Sequence, residues 1–135
     1  MKDYKELEVW QKAVNLVVDI YRLTKNFPIE EKYGLVSQIR RSATSIPANI
    51  AEGWGRGSTK EYLNFLMIAR GSLMELDTHL IVSQRLGFLN QKEDPFKQAQ
   101  DQIIRVGMML NRLIQSLKMR SSSRTPRPET RAPNS

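Results

Sequence analysis

Cysteine is absent from this chain of 135 residues. Its absence excludes disulfide bonds and thiol catalysis, and it is typical of proteins in a reducing compartment. Long hydrophobic runs are absent as well. Residues 1–6 are mostly charged, unlike a signal peptide, and no segment is apolar over the length that a bilayer requires. We therefore expect a cytoplasmic protein with no membrane partner.

Histidine is scarce, because His79 is the only one in the chain. Glu75 lies one helical turn before it and the two could share a metal, but a di-iron bundle needs two Glu-x-x-His pairs and the sequence contains none. A single histidine also offers no convincing Ser-His-Asp arrangement, and the glycine-rich residues 53–57 follow no strand, as a dinucleotide-binding loop would. We predict no enzymatic activity, no metal and no cofactor, with His79 as an ordinary surface or interface side chain.

No stretch of the sequence alternates as a β-strand does. Apolar residues instead recur every three or four positions at about 5–25, 29–52, 58–87 and 94–118, which is typical of helices packed lengthwise. Short connections favour antiparallel neighbours. We therefore predict an all-α fold, an antiparallel up-down-up-down four-helix bundle formed by residues 1–119. The predicted core residues are Leu7, Trp10, Val14, Val17 and Tyr21 in the first helix, Ile39, Ala43, Ile46 and Ile50 in the second, Tyr62, Leu66, Ala69, Leu73, Leu76 and Leu80 in the third, and Phe96, Ala99, Ile103, Val106, Leu110, Leu113 and Leu117 in the fourth.

Turn and capping residues indicate where these helices begin and end. Gly53 follows the last predicted turn of the second helix, and we expect it to end that helix in the left-handed conformation. Ser58 and Glu61 form a capping box that starts the third helix, and Gly87 stops it. Asp94 is the expected N-cap of the fourth helix.

The chain is basic, with a formal net charge of +7 and an isoelectric point of about 9.9. Residues 120–135 contain four arginines and one glutamate, which makes +3 in a Ser-, Arg- and Pro-rich tail whose composition predicts disorder. The other +4 is expected to be moderate and spread over the bundle. Such a charge suits a nucleic-acid partner, but it is equally typical of a surface that only keeps a protein soluble.

A second apolar stripe runs along two of the predicted helices, on the side turned away from the core. Stripes aligned along a helix make a contiguous patch of the kind that marks an interface, so we predict self-association of bundles side by side. The alternative is a wide core face with a few exposed methionines. The predicted interface residues are Val9, Leu16 and Leu23 on the first helix and Met67, Met74 and Ile81 on the third, with Ile68, Val82, Ile104 and Met108 beside them.

Polar and ionisable residues concentrate towards one end of the second helix. One interpretation is a structural network, because buried polar groups must find hydrogen-bond partners. The other is a basic rim around an exposed Trp54, where a base could stack and phosphates could be neutralised. The network would comprise Arg41, Asn49, Glu52, Ser72 and Glu75, and the rim, as candidate nucleic-acid site, Arg40, Arg56, Lys60 and Arg70.

Several separated motifs, in order along the chain, resemble those of one family. They are Trp10-Gln11-Lys12-Ala13, Phe27-Pro28, Glu31-Lys32-Tyr33-Gly34-Leu35, Gln38-Ile39-Arg40-Arg41, the run from Ser45 to Gly53 and the run from Phe65 to Leu76. Over about residues 4–119 the chain resembles the bacterial four-helix-bundle proteins that are encoded in intervening sequences of 23S ribosomal RNA genes. Because several motifs match in the right order, the resemblance is specific.

The resemblance implies a bundle that assembles into a ring, typically a homopentamer. Related bundles are accessory proteins of diversity-generating retroelements, where a basic ring binds nucleic acid and a reverse transcriptase, so the resemblance implies these as partners. It transfers no catalytic residue. We expect a non-enzymatic homo-oligomer that binds RNA or DNA, and the alternative is a structural or protein-binding module that binds neither. The best-matching polar positions are Arg40, Arg41, Asn49, Glu52, Arg56 and Glu75.

Overall fold

The computed structural model describes residues 3–90 and 92–124, with side chains up to Ser121. The described chain contains four α-helices and two short 3-10 helices, and no strand. The α-helices are α1, Glu8–Thr24, α2, Leu35–Gly55, α3, Thr59–Arg85, and α4, Asp94–Arg124. The 3-10 helices, Tyr4–Glu6 and Ile29–Glu31, precede α1 and α2. Within these described residues, no helix is both long enough and apolar enough to cross a membrane.

The helices form the predicted all-α four-helix bundle, in which each helix packs on its sequence neighbours and α4 closes against α1. Contacts between helices show that the neighbours are antiparallel. Ser45 of α2 is level with Ser72 of α3, where the two hydroxyl oxygens lie 2.8 Å apart, and Arg70 of α3 donates to Asn111 of α4 at 3.0 Å. Gln102 of α4 donates to Asp19 of α1 at 2.7 Å.

The predicted core faces of α2, α3 and α4 are confirmed. The four residues predicted for α2 are buried, as are all those predicted for α3 except Tyr62, which packs against the core half-buried. In α4 only Leu113 is half-buried, and its neighbour Ile114 is buried instead. The regular spacing of these residues leaves only one face of each helix apolar enough to fill the core.

The core face of α1 differs from the prediction, and this overturns part of the predicted interface. Val9 and Leu16, predicted to face another subunit, are 5% and 0% exposed and lie in the core with Ala13 and Ile20. Leu23 is half-buried against the same core. Tyr21, predicted as core, is 42% exposed. The predicted row of core residues and the observed row, which contains Ala13, both have helical spacing. The observed row faces the core because the small side chain of Ala13 lets α1 approach its neighbours closely.

Gly53 does not end α2, because the helix continues to Gly55 and Gly53 is buried within it. Instead, the missing side chain of Gly53 allows α2 and α3 to pack closely. A Cβ at this position would lie 2.7 Å from Phe65 Cβ and 3.1 Å from Tyr62 Cδ1 on α3, closer than side chains approach one another. The left-handed glycine is Gly57, with φ of 83°, in the turn that joins α2 to α3.

The predicted ends of α3 are confirmed. Ser58 Oγ accepts from the backbone N–H of Glu61 at 3.2 Å, as a capping box requires, and Gly87 has φ of 86° where the helix ends. The fourth helix extends further than predicted. It continues to Arg124, so the expectation of disorder is wrong for residues 120–124, and the rest of the predicted tail lies outside the described residues.

Candidate nucleic-acid interface

Arg40, predicted as a rim residue, is committed to the contact between α1 and α2. Its Nε donates to Thr24 Oγ1 at 3.0 Å and its Nη2 to the carbonyl oxygen of Tyr21 at 3.3 Å. The guanidinium also stacks over the Tyr21 ring, 4.4 Å from its centre. A cation at the C-terminal end of α1 satisfies a free carbonyl and is favoured by the helix dipole. Arg40 is therefore a structural residue of the bundle.

Arg56 lies at the opposite, C-terminal end of α2. Its guanidinium lies 2.9 Å from a Glu52 carboxylate oxygen and 4.0 Å from one of Glu61, and it sits 5.0 Å from the centre of the Phe65 ring. Two carboxylates already compensate its charge. Lys60, one turn further on, is exposed.

The four rim residues do not form one patch. Sixteen residues of helix separate Arg40 from Arg56, which places them about 24 Å apart along α2. Arg70 turns towards α4, where it donates to Asn111 Oδ1 at 3.0 Å, and it also donates to Met67 Sδ of its own helix at 3.0 Å. Of the predicted rim, only Arg56 and Lys60 lie at the same end of the bundle. The sequence prediction failed here because it grouped residues by their position in the chain.

The polar network forms around a residue that the prediction omitted, Ser45. Asn49 Nδ2 donates to the Ser45 carbonyl at 2.7 Å and to its hydroxyl at 2.9 Å, and that hydroxyl bonds to Ser72 of α3. Arg41 is not part of these bonds and lines a polar groove nearby, together with Glu75. Glu52 pairs with Arg56 instead. The network therefore fastens α2 to α3 and is smaller than predicted.

Trp54 is half-buried and meets the ring of Tyr62 edge-on, with the ring centres 6.1 Å apart. It is not the exposed stacking platform that the sequence predicted. The Tyr62 hydroxyl is buried and has no hydrogen-bond partner in the described part of the chain. Burial raises the pKa of Tyr62 above the usual value for tyrosine, because the phenolate is poorly solvated there.

We expect Tyr62→Phe to leave the free energy of unfolding unchanged at neutral pH or to raise it by up to about 1 kcal/mol, because it removes an unpaired buried hydroxyl. The folded state holds the phenol proton more tightly than the unfolded state, so Tyr62 makes stability fall as the pH rises above about 10, where the unfolded phenol ionises. Urea unfolding at neutral and alkaline pH measures this. A variant that loses stability at neutral pH, or that keeps the full alkaline decline, would contradict it.

His79 lies partly buried on α3, with its Nε2 3.5 Å from a Glu75 carboxylate oxygen. Residues 3–90 and 92–124 contain no group of three His, Asp or Glu side chains arranged to hold a metal ion. Among the described residues, Glu75 is thus the acidic side chain that lies within ion-pair distance of His79.

The largest share of the positive charge lies on α4, partly because Arg120 and Arg124, counted above with the tail, belong to this helix. This helix carries six basic and two acidic residues, a net +4 out of the +7 of the whole chain. Both acids, Asp94 and Asp101, come early, so that residues 102–124 hold five basic residues and no acid. The signal was present in the sequence. It was missed because charge was counted for the body and the tail rather than for each helix.

Arg105 and Arg112 lie one heptad apart on the exposed side of α4 and face the edge of α1. Lys12 of α1 lines the same groove. Within the described residues, none of the three makes an ion pair, which distinguishes them from Arg56 and leaves their charges available to phosphate. We call these three residues the α4 cationic face.

An apolar surface spans α3 and the adjacent side of α4, where Ile104 and Met108 also line the groove beside Arg105 and Arg112. Its register is fixed by Gly107, where a Cβ would lie 3.3 Å from Leu73 Cδ2, so that Ile104 and Met108 are level with Met74. Met74 and Ile104 are 62% and 61% exposed. We call this surface the α3/α4 apolar face. It consists of Met67, Met74, Ile81, Ile104 and Met108, all of them exposed.

Two comparisons with known proteins found a match. A family model described as 23S rRNA-intervening sequence protein matches residues 5–112. A crystal structure of a protein of unknown function from Bacteroides thetaiotaomicron, described as a member of the S23 ribosomal protein family, is similar to this chain with a TM-score of 0.69 and 25% identity. The match covers 78% of this chain and 97% of that one. A comparison with curated proteins found no match.

Proposed function

Because the chain belongs to the 23S rRNA-intervening sequence protein family, we propose that it is a non-enzymatic, self-associating helical bundle that binds nucleic acid through the α4 cationic face. The observation that carries this proposal is that Arg105 and Arg112 are exposed, make no ion pair among the described residues, and lie on a stretch of α4, residues 102–118, that holds no acidic residue. Phosphate binding gains its free energy largely from the release of counterions, and it needs cations that are not already neutralised.

The geometry of the α4 cationic face supports this role better than the predicted rim does. Arg105 and Arg112 are separated by two helical turns, about 10 Å, so that one helix presents both to the same nucleic-acid backbone. A guanidinium can donate two hydrogen bonds to one phosphate. In the rim, Arg40, Arg56 and Arg70 already bond within the bundle.

Self-association is proposed on the α3/α4 apolar face. Exposed apolar side chains at single positions are normal, but five along the adjacent helices α3 and α4 outline a surface of the kind that marks an interface. The resemblance to ring-forming bundles makes five copies the expected number.

The second candidate function is a structural or protein-binding module without nucleic-acid affinity. The observation that favours it is the presence of Glu8 and Asp101 beside the cationic residues, since these carboxylates reduce the local positive charge. A direct measurement of RNA binding separates the two candidates.

We expect the double variant Arg105→Gln/Arg112→Gln to weaken binding of an unstructured RNA about 20-fold at 0.1 M salt. Two lost phosphate contacts should also make the slope of log affinity against log salt shallower by about 1.4, the counterion-release value for a single strand. Fluorescence anisotropy with a labelled RNA at several salt concentrations measures both quantities.

The matched control is Lys25→Gln/Arg85→Gln, which removes the same charge from exposed positions at the far end of α1 and α3. It should change the slope much less. Equal effects of the two double variants would mean that only net charge matters, and the assignment to α4 would be wrong. If wild-type protein bound no RNA even at low salt, the structural module would be the correct function.

A further inference from the structure

The groove between α1 and α4 contains enclosed space as well as cations. It consists of two adjoining hollows, of about 300 and 370 Å³, and Asp101 and Arg105 line both. Each is at the lower end of the size range of small-molecule sites. The groove follows the two helix axes from Gln98 to Arg112, about 21 Å along α4.

From this groove we infer that the bundle binds unpaired nucleotides of single-stranded nucleic acid, with the bases in the groove and the phosphates on Arg105, Arg112 and Lys12. This inference rests on the proposed function and specifies its ligand. It depends on three features of the groove, which are its width, its amide groups and its carboxylates.

The width of the groove excludes a double helix. Its two hollows measure only about 300 and 370 Å³, and a duplex whose major groove alone is about 12 Å wide cannot enter spaces of that size. A duplex could therefore touch only the outer edges of α1 and α4. A flat base, in contrast, can lie between two helices and contact the side chains that line the floor.

Amide side chains give the groove the means to bind base edges. Asn15 on α1 and Gln98 on α4 line the smaller of its two hollows and are exposed. Gln102 lies between them; its Nε2 donates to Asp19, while its Oε1 is buried and has no partner among the described residues. Amides carry both donors and acceptors, which is what the edges of unpaired bases require.

The carboxylates of the groove also favour a single-stranded ligand over a duplex. Glu8 and Asp101 lie in the groove beside the cations. They would repel the phosphates of a duplex lying across the surface, but they can accept hydrogen bonds from the amino groups of exposed bases. A single strand can use all of these groups, whereas a duplex can use only the three cations.

The test compares an unstructured RNA of about 12 nucleotides, within the range of known single-strand sites, with a duplex of the same length. We expect the wild-type protein to prefer the single strand at least tenfold at equal salt. Asn15→Ala/Gln98→Ala should reduce that preference about fivefold without changing the salt slope, because no phosphate contact is lost. The control Asn64→Ala/Gln115→Ala removes two exposed amides outside the groove and should leave the preference intact.

Each outcome decides a different point. A duplex bound as tightly as the single strand would overturn the inference and leave the proposed function standing. A single-strand preference that survives Asn15→Ala/Gln98→Ala would overturn the placement of bases in the groove. Absence of binding to both RNAs at low salt would overturn the proposed function, and the inference with it.

Discussion

Gly53→Ala is expected to lower the free energy of unfolding by at least about 2 kcal/mol and the melting temperature by roughly 5–10 °C. In an exposed helix the same substitution is favourable, because alanine has the higher helix propensity. At Gly53 the new Cβ would lie 2.7 Å from Phe65 Cβ and 3.3 Å from the Tyr62 carbonyl oxygen, so α2 and α3 must move apart. The lost packing along the whole helix pair outweighs the gain in propensity.

Gly71→Ala is the matched control. Gly71 lies within α3, is exposed, and has no atom within 4 Å of the position that a Cβ would take. Alanine there should stabilise the bundle by about 0.5–1 kcal/mol. Urea unfolding at one protein concentration measures both variants. A Gly53→Ala protein as stable as Gly71→Ala would refute the close approach of α2 and α3.

Met74→Glu is expected to break self-association, with the largest effect of any single surface substitution. It places a charge in the middle of the α3/α4 apolar face, where assembly would bury it without a partner. A cost of about 3 kcal/mol for that burial raises the dissociation constant of the assembly more than 100-fold. Sedimentation velocity across micromolar concentrations measures it.

Ile29→Glu is the control for this variant, because Ile29 is 77% exposed, lies before α2, and also changes from apolar to acidic. It should assemble as the wild type does. Both variants should keep the helical circular dichroism of the wild type, since neither residue belongs to the core. A wild-type protein that sediments as a monomer at these concentrations would contradict the proposed assembly.

The fold could be predicted from the sequence wherever a helix has one apolar row. The row from Phe96 to Leu117 in α4 permits only one orientation, and it is the buried one. In α1, two rows have helical spacing, and the sequence does not show which neighbour will approach the small Ala13. Gly53 was misjudged for a related reason. Periodicity describes a single helix, whereas the need for glycine arises from a second helix at the same level.

The candidate site was harder to predict, because it depends on which charges remain unpaired. Arg40 and Arg56 are as basic in the sequence as Arg105 and Arg112, and only the fold brings Tyr21 to the first and two carboxylates to the second. The absence of acidic residues from 102 to 124 was the one local signal that pointed to α4. A count of charge for each predicted helix would have found it.

The central claim is that α4, with the edge of α1, contacts nucleic acid. The most direct test is ultraviolet crosslinking of the wild-type protein to an unstructured RNA, with the crosslinked peptides identified by mass spectrometry. We predict crosslinks in residues 98–112 of α4 and around residues 8–15 of α1. Crosslinks confined to the turn between α2 and α3, near Trp54 and Lys60, would contradict this account and restore the rim that the sequence first indicated.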